Sequence, residues 1–349
     1  MTLQREYCFI VGAGGSAEIG FPVGKRLVSD IASALNVSTD DFGRIKGGNF
    51  EIISAFESLL RDTPPPDGKS WNASYLAKIS SQFSRNMPLA PSIDNYIEAV
   101  KDEQFFPEVG KMAIADVLLR YERSSPLFIN GGGAGNYPAF SQLPPFWLTN
   151  LFQLLVTSSG YHAFLERLEK VSFVTFNYDR CIEQFFRFAV GSYFDLPIPK
   201  VDELLSKHLR IFHVYGSLGE LQNMTSVPFG AKGGREIWKA HQQIFTFTEG
   251  VEEERVLPVI EWIEKADVLT FIGFSFLPLN LRALRPRIHD YKCRVFGTSL
   301  GLSHDNVAIY TKWIHDNWLA GRGSGVDLRP VKGEQLISDL SGLYLEDDL

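Results

Sequence analysis

The chain has 349 residues, 45% of them apolar and 21% charged; that balance fits two domains or one α/β domain with an insertion, and excludes disordered, fibrous and collagen-like chains. With 34 Lys and Arg against 41 Asp and Glu the formal charge is −7, so no global attraction draws it to nucleic acid or to an anionic membrane. The three cysteines, Cys8, Cys181 and Cys293, lie far apart without a C-x-x-C pair, which points to buried reduced thiols and excludes a cysteine-based zinc site.

The opening MTLQREYCFIVGAGGS runs straight into a short apolar strand, Tyr7 to Val11, and lacks the long apolar region and cleavage site of a secretory signal, so a cytoplasmic location is expected. Val23, Leu27, Ile31 and Leu35 then recur every four residues, the stripe of an amphipathic helix. From there to Val171 strand signal is sparse. The segment holds a Pro-rich loop over Asp62 to Lys69 and a helix capped by Ser92 with Ile93, Tyr96, Ile97 and Val100 on one face. A helix near Lys111 to Glu122, a glycine loop over Gly131 to Gly135 and a helical region from Leu148 to Leu168 complete it. Beyond it come strands over Val171 to Phe176, Arg210 to Tyr215, Asp267 to Ile272 and Cys293 to Gly297. Helical stripes lie among them: Ile182, Phe185, Phe186 and Ala189, then Val256 to Ala266, then Val307, Tyr310, Thr311, Ile314 and Trp318 behind a Ser303 cap. The end, Glu346 to Asp348, reads as a solvated acidic stretch.

Continuous apolar strands are those covered on both faces. The pattern is therefore α/β, a doubly wound, Rossmann-like, mostly parallel sheet with a large helical insertion. Residues 1–35 form its first βα unit, 36–170 the insertion and 171–349 the remainder. The most apolar stretches, Phe146 to Val156 and Asp267 to Leu284, are too short or too interrupted to span a membrane.

Five strand ends carry polar or glycine-rich motifs. Gly12-Ala13-Gly14-Gly15-Ser16-Ala17 lies where strand passes to helix, a place where backbone N–H groups approach a pyrophosphate; an ordinary tight turn reads the same way. Gly24-Lys25-Arg26 lacks the glycine and hydroxyl of a Walker loop, and Asp40-Asp41 follow a helix with no strand between, unlike a dehydrogenase. Thr175-Phe176-Asn177-Tyr178-Asp179 offers an amide that can orient a water or a ribose hydroxyl and a carboxylate that can cap the next helix, or both residues simply shape the turn. His213 in His213-Val214-Tyr215-Gly216-Ser217 is the side chain able to exchange a proton near neutral pH, although a lone histidine in an apolar strand is more often structural. His162, His208, His241, His289, His304 and His315 have no motif around them, and no spacing suggests a metal site. Ser275 in Gly273-Phe274-Ser275-Phe276 lacks the final glycine of a nucleophile elbow and reads as a hydrogen-bond donor or a turn serine; Gly297-Thr298-Ser299 is similar.

In their joint order these motifs resemble the sirtuin-like superfamily of NAD-binding domains, and within it the prokaryotic branch of anti-phage-defence NADases. The matching pieces are Gly12 to Ser16 followed by Gly20-Phe21-Pro22, Thr175 to Asp179, His213 to Ser217 and Ile272 to Ser275, with Ser92-Ile93-Asp94 as a further shared element. The deacylases' four-cysteine zinc module is missing, and Val23-Gly24-Lys25 stands where they carry an arginine, so no zinc and no protein deacylation are expected. The resemblance implies hydrolysis of NAD to nicotinamide and ADP-ribose. Gly12, Ala13 and Gly14 would hold the pyrophosphate and Ser275 and Thr298 the adenosine half. Ser16, Pro22, Asp94, Thr175, Asp179 and Gly273 would complete the cofactor site. Asn177 would orient water or ribose and His213 act as general base. It further implies a homo-oligomer controlled in trans, by self-assembly or by a partner such as an ATPase of the HerA type or an Argonaute-like protein. A binding module for NAD or ADP-ribose, or a structural subunit, is the alternative. A nucleic-acid-acting subunit is a third reading, with Arg282, Arg285 and Arg287 as its local patch, though the chain alone is not expected to bind nucleic acid or membrane.

Overall fold

The computed structural model describes residues 5–42, 44–63, 73–130, 137–157, 160–221, 226–245, 249, 253–287, 293–319 and 325–345. The Pro-rich loop beyond Thr63, the Gly131 to Gly135 loop, His289 and the acidic end lie outside the described residues. Six parallel strands form one sheet: β1 (Tyr7–Val11), β2 (Val171–Thr175), β3 (Arg210–His213), β4 (Val268–Ile272), β5 (Arg294–Thr298) and β6 (Val326–Arg329). Their spatial order is β3-β2-β1-β4-β5-β6, the doubly wound Rossmann-like arrangement whose direction of winding reverses between β1 and β4. Tyr7 pairs with Val171 on one side and with Val268 on the other, so β1 lies at the centre of the sheet.

Burial and charge together explain which strands the sequence reveals; β3, an edge strand as half-buried as β6 at the other edge, is legible through its apolar Ile211-Phe212 pair. β1, β2 and β4 are buried along their whole length and read as unbroken apolar runs. β6, an edge strand absent from the sequence-based expectation, is Val-Asp-Leu-Arg; it is half-buried, and Asp327 and Arg329 pair at 2.7 Å. Its alternation is what an edge with one wet face requires.

Both faces of the sheet are covered. Phe9 and Phe173, in register on one face, meet Trp147 at 5.8 and 6.1 Å, and Phe9 also stacks on Tyr344. On the other face Phe271 packs against Trp318 of helix His304–Trp318 at 5.7 Å. Ser303 caps that helix through the Asn306 amide, and Ser92 caps helix Ile93–Ala99 through the Asn95 amide, both as expected from sequence.

The segment before β2 is largely helical, with helices Phe50–Asp62, Ala73–Asn86, Ile93–Ala99, Phe106–Ser124, Trp147–Val156 and Tyr161–Glu169. It also holds a small antiparallel hairpin, Ser38–Thr39 with Ile45–Gly47, unforeseen because its turn is built by one side chain. Asp40 Oδ1 accepts the Phe42 and Arg44 amides at 2.9 and 2.8 Å. Among the described residues no helix is long and apolar enough to cross a membrane.

Candidate functional site

Open α/β sheets bind ligands beyond the carboxyl ends of their strands, at the point where the winding reverses. Here that crevice lies past Val11 of β1 and Ile272 of β4, flanked by the turn after β2. The glycines at the reversal bring two turns into backbone contact. Gly12 N–H donates to the Ile272 carbonyl at 2.9 Å and Gly14 N–H to the Gly273 carbonyl at 3.0 Å. A Cβ on Gly12 would stand 2.6 Å from the Gly273 oxygen, and one on Gly14 2.6 Å from the Gly273 Cα. Gly273 itself has φ +59°, and its Cβ would meet the Gly15 nitrogen at 2.1 Å. Two of the amides expected to face a pyrophosphate are thus engaged within the fold. Of the three, only the Ala13 amide has no internal acceptor among the described residues. Thr298 locks the same junction from β5, its Oγ1 accepting the Gly273 amide at 2.7 Å.

Asn177 is the hub of the polar side. Its own amide donates to Thr175 Oγ1, and its Nδ2 donates to the Gly12 carbonyl and to Ser16 Oγ, each at 3.1 Å. The Ser16 hydroxyl passes its proton toward Asp179 Oδ1 at 3.0 Å, which also takes the Cys181 amide at the start of helix Cys181–Phe194. Asn177, Ser16, Thr175 and Asp179 are all buried. Burial pushes the Asp179 carboxyl above its usual range, against the bonds from Cys181 and Ser16. Asn177 Oδ1 accepts no hydrogen bond from the described residues, so this buried amide presents one free acceptor at the crevice.

His213, at the end of β3, joins this cluster from behind. Its Nδ1 lies 2.7 Å from the Asn177 carbonyl oxygen and its Nε2 2.7 Å from Glu183 Oε1. Burial works against the imidazolium, yet the Glu183 carboxylate, its hydrogen bond, the Asn177 carbonyl and Asp179 outweigh it and leave the His213 pKa raised. Both ring nitrogens are engaged, so proton abstraction by His213 requires one of these bonds to open first.

The remaining expected residues fall around this hub. Asp94 accepts a short hydrogen bond from the Tyr178 hydroxyl, tying helix Ile93–Ala99 to the β2 turn; burial raises both groups' pKa values. Phe176 packs on Phe274 and Tyr215, with ring centres 5.2 and 5.5 Å apart, giving the crevice an aromatic side. Ser275 is exposed beyond Phe274. Pro22 is buried next to Phe21, whose amide donates to the Ser16 carbonyl, and takes no part in the Asn177 hydrogen bonds.

Two residues of this region escaped the sequence reading. Glu183 lies one helical turn after Asp179, a carboxylate spacing visible in sequence, but its partner is on another strand. Arg180 is fully buried and bonds Glu122 of helix Phe106–Ser124 at 2.6 Å, and it also donates to the Gly219, Val227 and Pro228 carbonyls. It anchors the turn bearing Asn177 to the helical segment. No protein-family model matches the chain, and no curated protein matches it.

Proposed function

We propose that the chain is an NAD glycohydrolase, cleaving the nicotinamide–ribose bond of NAD with water to give nicotinamide, ADP-ribose and a proton. One observation carries this reading: a buried carboxamide, Asn177, fixed through its nitrogen by Gly12 and Ser16 with its oxygen left as a free acceptor beside the winding reversal. An acceptor held there suits a water or ribose hydroxyl, and needs no reorganisation when positive charge develops on the sugar. Phe176, half-buried and backed by the core rings of Phe274 and Tyr215, suits a flat ring. The Ala13 amide and the exposed Ser275 hydroxyl are the groups left to meet phosphate or adenosine oxygens. Because both nitrogens of His213 are bonded, we assign it the holding of Asn177 rather than proton abstraction. The sirtuin-like motif order supports the same substrate and, with it, a regulated role in NAD depletion during anti-phage defence, with control by assembly or by a partner protein.

Purified protein incubated with NAD should release nicotinamide and ADP-ribose, separable by chromatography, and Asn177→Ala should lose at least about a hundredfold in rate. Undiminished turnover in Asn177→Ala sinks the assignment. The occupied His213 nitrogens also favour a second reading, a module that binds NAD or ADP-ribose without turnover; tight NAD binding with no product at any protein concentration selects it.

A further inference from the structure

The pairing of Glu183 with His213 is not accounted for by helix capping or by packing. Glu183 sits in the first turn of helix Cys181–Phe194 with one carboxylate oxygen on His213, while its Oε2 is buried and without a hydrogen-bond partner among the described residues. Leaving a buried carboxylate oxygen unpaired is costly, and the partner that offsets it among the described residues is the His213 ring. The two partners of the imidazole are both acceptors, a main-chain carbonyl and a carboxylate. A neutral imidazole has one N–H and satisfies one of them; the imidazolium satisfies both.

We infer that Glu183 is a positioning residue acting through His213: its carboxylate keeps the imidazole doubly protonated, which clamps the Asn177 carbonyl and so fixes the direction in which the Asn177 carboxamide faces the crevice. The functional consequence rests on the hydrolase reading above; the protonation state does not. The charged groups around the ring are Glu183 from the helix, Asp179 from the β2 turn, and Arg255 of helix Glu253–Lys265, which donates to the His213 carbonyl at 2.9 Å. Two carboxylates against one guanidinium favour the charged ring.

The sign of the pH dependence separates this arrangement from a general base. A base must be neutral, so turnover would rise as His213 loses its proton. In the neutral ring beside Glu183 the one remaining N–H goes to the carboxylate, the stronger acceptor, and the Asn177 carbonyl is released, so turnover falls as His213 loses its proton. Glu183→Gln keeps the shape but removes the charge, and its amide N–H serves Nε2 of a neutral ring whose Nδ1–H stays on the Asn177 carbonyl; the ring's proton affinity should fall about tenfold, and the falling limb should be lost.

The test uses the full chain labelled with ¹⁵N. Imidazole ¹H–¹⁵N correlation spectra, with His213→Gln supplying the assignment, follow both ring nitrogens through neutral pH, and nicotinamide release from NAD is followed over the same range. The expected result is a doubly protonated His213 at pH about 7 in the wild type, a midpoint about tenfold lower in proton affinity in Glu183→Gln, and a falling limb present in the wild type and absent from that variant. A singly protonated ring in the wild type, or equal midpoints in the two proteins, overturns the inference, and so does a limb that rises through the His213 midpoint. If the wild type releases no nicotinamide, the hydrolase reading fails, while the spectra still decide the charge clamp. Should Glu183→Gln not fold, the wild-type spectra alone retain that power.

Discussion

The junction between β1 and β4 and the junction between β2 and β3 stand side by side, and they are built by opposite means. At the first, Gly12, Gly14 and Gly273 remove side chains so that two turns touch; the Gly12 and Gly14 amides bond carbonyls within the fold and the Gly273 amide the Thr298 hydroxyl. At the second, Asn177, Asp179, His213, Glu183 and Arg180 fill the space with charges and amides that depend on one another. The lesson is that a glycine-rich strand end is not by itself a phosphate cradle. At this reversal the glycines make the two halves of the sheet meet, and the polar chemistry is gathered one strand further along.

The largest effect that separates the two junctions should come from the buried ion pair on the polar side. Glu122→Ala leaves the Arg180 guanidinium without its partner in the interior and should cost about 3–5 kcal/mol, read as a fall in the urea midpoint. Replacing both residues by Leu and Met should restore much of that loss. On the glycine side Gly273→Ala combines a left-handed backbone with a Cβ driven into the Gly14–Gly15 peptide, and should cost at least about 3 kcal/mol. Gly301→Ala is the matched control. It shares a positive φ, +85°, but has nothing within 4 Å of the added carbon, so about 1 kcal/mol is expected from the backbone alone. Equal losses at the two positions would mean that the turn-to-turn contact is unimportant.

Acid and alkali should act through two buried histidines. His241, on helix Gly234–His241, is held neutral by burial, with its pKa lowered to about 4 from 6.5. Its unfolded form takes up a proton first as pH falls, so stability is lost between pH 6.5 and about 4, by at most about 3 kcal/mol. His213 has the opposite sign. Its raised pKa contributes stability that is complete below the ordinary histidine value and is lost as pH rises through the folded value. Urea midpoints measured against pH should therefore show a shallower acid limb in His241→Gln and a shallower alkaline limb in His213→Gln. The smallest change is Thr298→Val, which removes the acceptor for the Gly273 amide and should cost about 1 kcal/mol.

The central strands were legible because burial on both faces leaves an unbroken apolar run, as in Val171 to Thr175 and Val268 to Ile272. β6 was not, since a half-wet edge of Val-Asp-Leu-Arg looks like loop. Asn177, Ser16 and Asp179 were visible as candidates from their places at strand ends, and the fold brings all three into one hydrogen-bonded chain. What sequence concealed is what depends on partners far along the chain. Gly14 is explained by Gly273, Glu183 by His213 and Arg180 by Glu122. No local period or spacing encodes those pairs.

The central place of β1 bears on how the chain folds as it is synthesised. β1 precedes in the chain both strands it pairs with, residues 171–175 on one edge and 268–272 on the other, so both of its edges stay open until those segments have been made. Such distant pairing slows folding and leaves an apolar segment exposed to association. Tyr7 to Val11, buried along its whole length in the folded sheet, is therefore an apolar stretch that stays unpaired while the intervening chain is translated.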